Sequence, residues 1–344
     1  MRSAEKKRGL GNNPGKLLFV LTILLVVVAT ASLMLGQINI PPDTILKVFA
    51  STVLPIERTW SLTLESILFD VRVPRLMAGL LVGAGLSISG AAFQGLFRNP
   101  LVSPHILGVS SGAGFGAAVA ILFFGQILAV QVCSFLFGLI AVLLTYSLSR
   151  VYRTTPVLML VLSGIIVGAL FSAATSLIKY VADPVNEMPS IVFWLLGSLN
   201  NASNRDMAVV GPIIISGITV LLLIRWRINL LAMGEEDARA LGVDTGRIRA
   251  TVILSATMIS AAAVSIGGII GWIGLVIPHI GRILAGPDNK ILLPVTVLVG
   301  ASYLVAVDTI ARTAMEMEIP IGILTALVGA PIFAYLLRKN RSGW

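Results

Sequence analysis

The residues able to do chemistry are few, and their spacing excludes more than it allows. Two histidines, His105 and His279, each follow a proline, and neither has a cysteine or carboxylate cluster at ligand spacing. The one cysteine, Cys133, lies inside an apolar run, which leaves neither a disulfide framework nor a thiolate metal site. Gly11-Asn12-Asn13-Pro14-Gly15-Lys16 has the glycines and lysine of a phosphate-cradling loop. Its glycines stand too close together, however, and Leu17 occupies the place of the Ser or Thr that would hold magnesium. No nucleophile–base pair or buried carboxylate pair is present, so no catalytic residue, metal or cofactor is expected.

Two charged features remain. The first is a polar island, Gly234-Glu235-Glu236-Asp237-Ala238-Arg239-Ala240-Leu241-Gly242-Val243, set between long apolar runs. Glu235, Glu236 and Asp237 suit the positive end of a short helix, and Gly242 suits its stop. So short a helix is marginal in water, so a docked partner is expected to stabilise it. A second polar stretch, Asp244 to Arg249, leads into the next apolar run. The second feature is Arg72-Val73-Pro74-Arg75 together with Arg312, on the side of the membrane where basic residues are disfavoured. A guanidinium there can meet a carboxylate of an external partner in bidentate fashion. Snorkelling or local pairing competes with docking, and Asp308 stands four residues before Arg312 in the favourable acid-first order.

The elements that must position these groups are membrane helices. Of the 344 residues 56% are hydrophobic and only 12% charged, against roughly a quarter charged in soluble domains. A crossing helix needs about 20 apolar residues. Runs of that kind predict ten spans, near 17–35, 76–96, 102–124, 127–148, 156–178, 207–224, 250–268, 271–284, 291–311 and 319–337. The eighth is short and broken by glycine, and Ile191 to Leu199 reads as a partial helix that protein must bury. The expected architecture is a single all-α polytopic domain over residues 1–344, with a cytoplasmic tail at 1–16 and a cytoplasmic segment at 234–249.

With the amino terminus inside, most Lys and Arg fall on cytoplasmic segments, so both termini and the island are placed in the cytoplasm. Lys6-Lys7-Arg8 and the apolar run after them imitate a cleavable signal, but the run continues through Leu35 and reads as an uncleaved first span. A net charge of +9 is spread in ones and twos without a stripe or arm, which excludes nucleic acid as a partner. Small residues recur at helix-packing spacing, as in Gly79 with Gly83, Gly112 with Gly116 and Gly164 with Gly168. Ser87-Ile88-Ser89-Gly90 before Pro104-His105 is echoed by Ser265-Ile266-Gly267-Gly268 before Pro278-His279, on spans of opposite direction, as an inverted repeat would give. Asp308 is the nearest candidate for a proton relay and sits near a span end, which argues against ion-coupled transport.

Several long motifs carry a family resemblance. They are Arg72 to Arg75, Gly79 to Ala84, Ser89-Gly90-Ala91-Ala92-Phe93-Gln94-Gly95-Leu96-Phe97-Arg98-Asn99-Pro100-Leu101 and Leu107 to Gly112 in the first half. The second half adds the island, Gly271-Trp272-Ile273-Gly274-Leu275-Val276-Ile277-Pro278-His279, and Pro320-Ile321-Gly322 with Gly329-Ala330-Pro331. In order and spacing this set resembles the permease subunits of bacterial ABC importers for iron-siderophores, haem and cobalamin. The likeness covers nearly everything after residue 70; the first 70 residues have no pattern that matches closely.

The resemblance implies a ten-helix permease in the cytoplasmic membrane of a bacterium or archaeon, working as a pair, expected to be a homodimer. Its partners would be two ATPase subunits inside, which bind the ATP, and one substrate-binding protein outside. The Gly234 to Gly242 island would be the helix that couples to the ATPase. Arg72, Arg75 and Arg312 match the positions that meet glutamates of the binding protein, and the inner gate would fall near Thr154 and Thr155. A ferric siderophore is the first expected cargo, followed by haem, cobalamin and an oxyanion such as molybdate.

Overall fold

In hydrocarbon every backbone N–H and C=O must find its partner within the chain, and a helix is the local solution. The computed structural model describes residues 13–150 and 157–339, and among these the only regular structure is helical. Helix α1 (Pro14–Met34) starts with proline in its first turn and Asn13 capping the Lys16 N–H. Two short helices follow, α2 (Pro42–Ser51) and α3 (Leu62–Ser66). A π-helical turn over Ile67–Arg72 then runs straight into α4 (Val73–Phe97).

A 3-10 turn at Pro104–Leu107 ends on Gly108, whose φ of +82° suits glycine, and α5 (Val109–Phe123) begins there. Next come α6 (Ile127–Ser149), α7 (Val157–Val181), α8 (Glu187–Leu196) and α9 (Asn204–Leu223). The polar region holds α10 (Arg225–Met233) and α11 (Glu235–Ala240). The chain closes with α12 (Thr245–Gly267), α13 (Ile273–Ala285), α14 (Asn289–Thr313) and α15 (Ile321–Lys339).

Seven of these helices are long and apolar enough to cross a membrane, and α5, α13 and α15 are shorter apolar helices in the places of the other three expected spans. α8 is the expected partial helix, shifted a few residues earlier than the sequence suggested. The third span differs from expectation because Pro104 and the left-handed Gly108 split it into the 3-10 turn and α5. The segment before residue 70 holds α2, α3 and the π turn, for which the sequence offered no pattern.

Burial separates the helices by role. The most apolar window, in α1, is only 17% buried, whereas the windows led by α4 and α12 are each 78% buried. α1 therefore lies at the periphery of the bundle, while α4, α12 and α14 form the packed centre. The centre is built from small residues, because helices in lipid gain by close backbone approach. Gly83 lies against Gly300 between α4 and α14, Gly112 and Gly116 against Phe137 and Cys133 of α6, and Gly164 against the Ile106 carbonyl. The two echoed segments meet in space, since Gly90 packs on Gly274, and Gly274 in turn on Pro104.

Candidate functional site: two charged ends of one helical bundle

At one end of the bundle lies the polar island. Gly234 adopts φ +140°, a conformation that disfavours side chains, and turns the chain out of α10 into α11. At the other end of α11 the Val243 N–H reaches the Ala238 carbonyl at 3.1 Å, and the Gly242 N–H reaches that of Arg239 at 2.9 Å. With Gly242 at φ +76° this is a Schellman stop, as its glycine predicted. Asp244 then caps α12 by accepting from the Arg247 N–H at 3.0 Å. Ala238 is wholly buried and seats α11 on its neighbours, and Arg239 Nε donates to Thr245 Oγ1 at 3.3 Å. Asp237 and Ala240 face outward, while Met233 and Leu241 stay about 60% exposed among the described residues, an apolar rim around a polar helix.

The island is tied to the bundle through α10. Asn229 Nδ2 donates to Asp288 Oδ1 at 2.6 Å, and Asn229 Oδ1 accepts from the Asn289 N–H at 2.9 Å and its amide at 2.8 Å. Asp288, which caps α14, is held below the ordinary carboxylate range, first by the Lys290 N–H and then by the Asn229 amide. Nearby, Gln94 of α4 donates to the carbonyls of Val102 at 3.0 Å and Gly274 at 3.3 Å, and accepts from Arg282 of α13 at 2.8 Å. This clamp was not singled out from the sequence. A glutamine alone in an otherwise small and apolar span was the available signal.

At the opposite end the structure brings together all three arginines marked in the sequence. Arg72, last residue of the π turn, donates to the carbonyls of Leu33 and Met34 at the end of α1 and of Ile38 just beyond it. Arg75 is held by Asp308 and Glu318, and Arg312 donates to the Ser32 carbonyl and hydroxyl. The local pair expected from spacing is present, with Arg312 Nε 3.8 Å from Asp308. The three arginines are only 5–8% exposed. Asn200 and Glu318, which complete the cluster, carried no sequence signal.

Beside this cluster opens a cavity of about 1010 Å³ between the α5–α6 turn, α8 and the segments at 198–201, 265–268 and 318–320. Its lining mixes apolar side chains with the amides of Gln131, Asn200 and Asn201, the hydroxyl of Ser198 and the carboxylates of Glu187 and Glu318. His105 pairs with Ser110, and His279 is buried beside the Phe333 ring; no group of three potential metal ligands exists among the described residues. Thr154 and Thr155 lie outside the described residues.

Helix α4 joins the two ends. Its 25 residues span about 37 Å, with Arg75 in its first turn and Arg98 at its left-handed carboxyl terminus beside Gly234. Membrane-crossing helices, a capped polar helix at one end and a polar cavity beside buried charges at the other define a multi-pass membrane permease. The chain belongs to the FecCD transport family, which it matches over residues 23–339. That family is one of ABC transporter permease subunits, which carry no ATPase site of their own.

The chain is 42% identical over 330 residues to the molybdate import system permease of Haemophilus influenzae, covering 95% of this chain and 97% of that one. It is 43% identical over 279 residues to the cobalamin import system permease of Halobacterium salinarum, covering 81% and 75%. A solved structure described as a metal-chelate type ABC transporter in an inward-facing conformation aligns with a TM-score of 0.83 at 41% identity, covering 94% of this chain and 99% of its own.

Proposed function

We propose that this chain is the membrane subunit of an ATP-driven importer that takes a metal-bearing anion from an external binding protein and releases it into the cytoplasm. The observation that carries the reading is α11: a capped six-residue helix with an apolar rim and a polar outer face, too short to stand alone. Such a helix fits a cleft in a partner, and family membership supports an ATPase as that partner. In this reading two ATPases seat on α11 of two permease copies, with both termini cytoplasmic and the arginine end outside. ATP binding shifts α11, and α4, with Arg98 beside the island and Arg75 at the far end, carries the movement across the bilayer.

Cargo is proposed at the level of chemistry. Relatives are named for molybdate, cobalamin, iron chelates and haem. Among the relatives matched almost end to end, the molybdate permease is 42% identical, whereas the haemin and Fe(3+)-citrate permeases are each 34% identical. We therefore place molybdate ahead of ferric siderophore as the first cargo to test.

The test is ATPase activity of the permease in lipid vesicles with its candidate ATPase, with and without binding protein loaded with molybdate, ferric siderophore, haem or cobalamin. Stimulation by one loaded form supports the importer and names its cargo. No association with any ATPase would overturn the reading of α11 and leave an ion-coupled transporter in first place.

A further inference from the structure

Four of the five N–H groups of the Arg75 guanidinium donate to side chains, and the nitrogen of the fifth lies against Asp308 as an ion pair. Nε donates to both carboxylate oxygens of Asp308 at 3.0 and 3.1 Å. Nη1 donates to Asn200 Oδ1 at 3.3 Å and Glu318 Oε1 at 2.9 Å. Nη2 donates to Glu318 Oε2 at 3.0 Å and lies 2.9 Å from Asp308 Oδ1. A guanidinium has five donors, so none is left for a visiting carboxylate. Arg75 can dock to another protein only if a present partner leaves.

The partners differ in how they are held. The Asp308 side chain is 4% exposed and fixed within α14, whereas that of Glu318 is 30% exposed and belongs to the non-helical segment 314–320. Glu318, Ile319 and Pro320 also form one wall of the 1010 Å³ cavity. The segment is tied down at few other points, among them the Ile319 N–H to Ala311 at 3.0 Å and the Ile321 N–H to Gly197 at 2.9 Å. Asn200 is exposed too but neutral, so Glu318 is the accessible carboxylate of Arg75 and a part of the cavity wall.

Charge decides how it can leave. Arg72, Arg75 and Arg312 gather at this end, with Asp308 and Glu318 as their carboxylates. Withdrawing Glu318 alone would leave three buried guanidiniums to one carboxylate, a state that costs far more than the surface pair it breaks. Exchange for another anion keeps the balance.

We propose that Glu318 is the exchangeable half of a latch. Bound to Arg75, it fastens the segment before α15 to α4 and narrows the cavity mouth. An acidic side chain of a docking protein that replaces Glu318 on Arg75 frees the segment and widens the mouth. Asp308 stays in place and keeps the guanidinium oriented during the exchange. Glu318 is a positioning residue, and the docking half of the proposal rests on the importer reading above.

The test uses the full chain in lipid nanodiscs, with Cys133→Ala and a reporter cysteine at Ile319, labelled by a membrane-impermeant maleimide. Glu318→Gln should raise the labelling rate roughly tenfold, the worth of a lost charge-assisted pair. Glu318→Asp, which keeps the carboxylate, should stay near the native rate. A second reporter at Val102, buried and far from the 314–320 segment, should stay slow to label in all forms, because general unfolding would expose it as well. Docking of the molybdate-loaded binding protein should speed Ile319→Cys labelling in the native form and add nothing in Glu318→Gln. Equal Ile319→Cys rates with Glu318 and Gln overturn the latch. A native rate that docking leaves unchanged overturns the exchange. If Glu318→Gln raises labelling but no binding protein associates, the latch stands as an internal tether, and both the docking reading and the exchange fall.

Discussion

A Cβ placed on Gly83 collides with the carbonyl of Gly300, and one placed on Gly300 collides with the carbonyl of Gly83 and with Ser87. Helices α4 and α14 therefore touch backbone to backbone at the middle of the bundle. That contact sets the register that brings Arg75 opposite Asp308, eight residues away on each helix. Overpacking such a seam costs about 1–3 kcal/mol, and more where backbone must move. Gly83→Val and Gly300→Val should each lower the apparent melting temperature of the detergent-purified protein by several degrees. Gly271→Ala, with open space around its Cβ, should leave it unchanged. Size-exclusion after a heating series measures both.

The Gln94–Arg282 clamp should behave as a unit. Gln94→Leu leaves the Arg282 guanidinium without its side-chain acceptor and frees the carbonyls of Val102 and Gly274, at a cost of about 1.5–3 kcal/mol. Replacing both, as Gln94→Leu with Arg282→Met, removes donor and acceptor together. The double variant should be more stable than the sum of the single changes implies. Additive losses in a double-mutant cycle would show that the two side chains act separately.

Much of this architecture is written in the apolar runs, because a lipid-spanning helix needs only length and hydrophobicity to be recognised. The island's helix and its glycine stop were equally readable, since capping is local in sequence. Arg72, Arg75 and Arg312 stood out against the charge bias, and the i,i+4 pairing of Asp308 with Arg312 followed from helix geometry. The contact of Arg75 with Asp308, 233 residues away, follows only once α4 and α14 are known to pack. Glu318 was hidden for the same reason, as one of two acidic residues in a short loop. The π turn that delivers Arg72 left no trace, because Leu64, Ile67, Leu68 and Val71 at helical spacing are as compatible with an ordinary α-helix as with a π turn.

Asp288 gives a pH dependence with a defined sign. Its carboxyl is depressed below the ordinary 3.8, by the Lys290 N–H first and the Asn229 amide second. A depressed carboxylate contributes stability that is fully present above its unfolded pKa, and this is lost as pH falls through the folded value. Wild type should therefore exceed Asp288→Asn by a constant margin from pH 7 down to about pH 5, where the unfolded-state carboxyl is still ionised. The margin should shrink below about pH 4. The group is largely exposed, so solvent screening keeps the effect below about 1 kcal/mol. A margin that stayed constant down to pH 3 would assign the loss to shape rather than charge.

The island offers the sharpest functional contrast, because its changes can leave the bundle intact. Leu241 is 61% exposed and Ala240 faces outward, so substitutions there disturb little of the packing among the described residues. If α11 is the element an ATPase grips, Leu241→Asp removes apolar rim area and Ala240→Trp fills space the partner needs. Glu236→Arg reverses a charge in the first turn of the helix, where acidic residues are favoured. Each variant should insert and elute as wild type does, while cargo uptake falls at least tenfold and ATP hydrolysis loses its response to loaded binding protein. Ala238→Asp is different in kind, since it puts a carboxylate into a wholly buried position and should unseat α11 and lower stability as well. Wild-type uptake in Ala240→Trp and Glu236→Arg together would remove α11 from the coupling path, even if the chain still bound an ATPase.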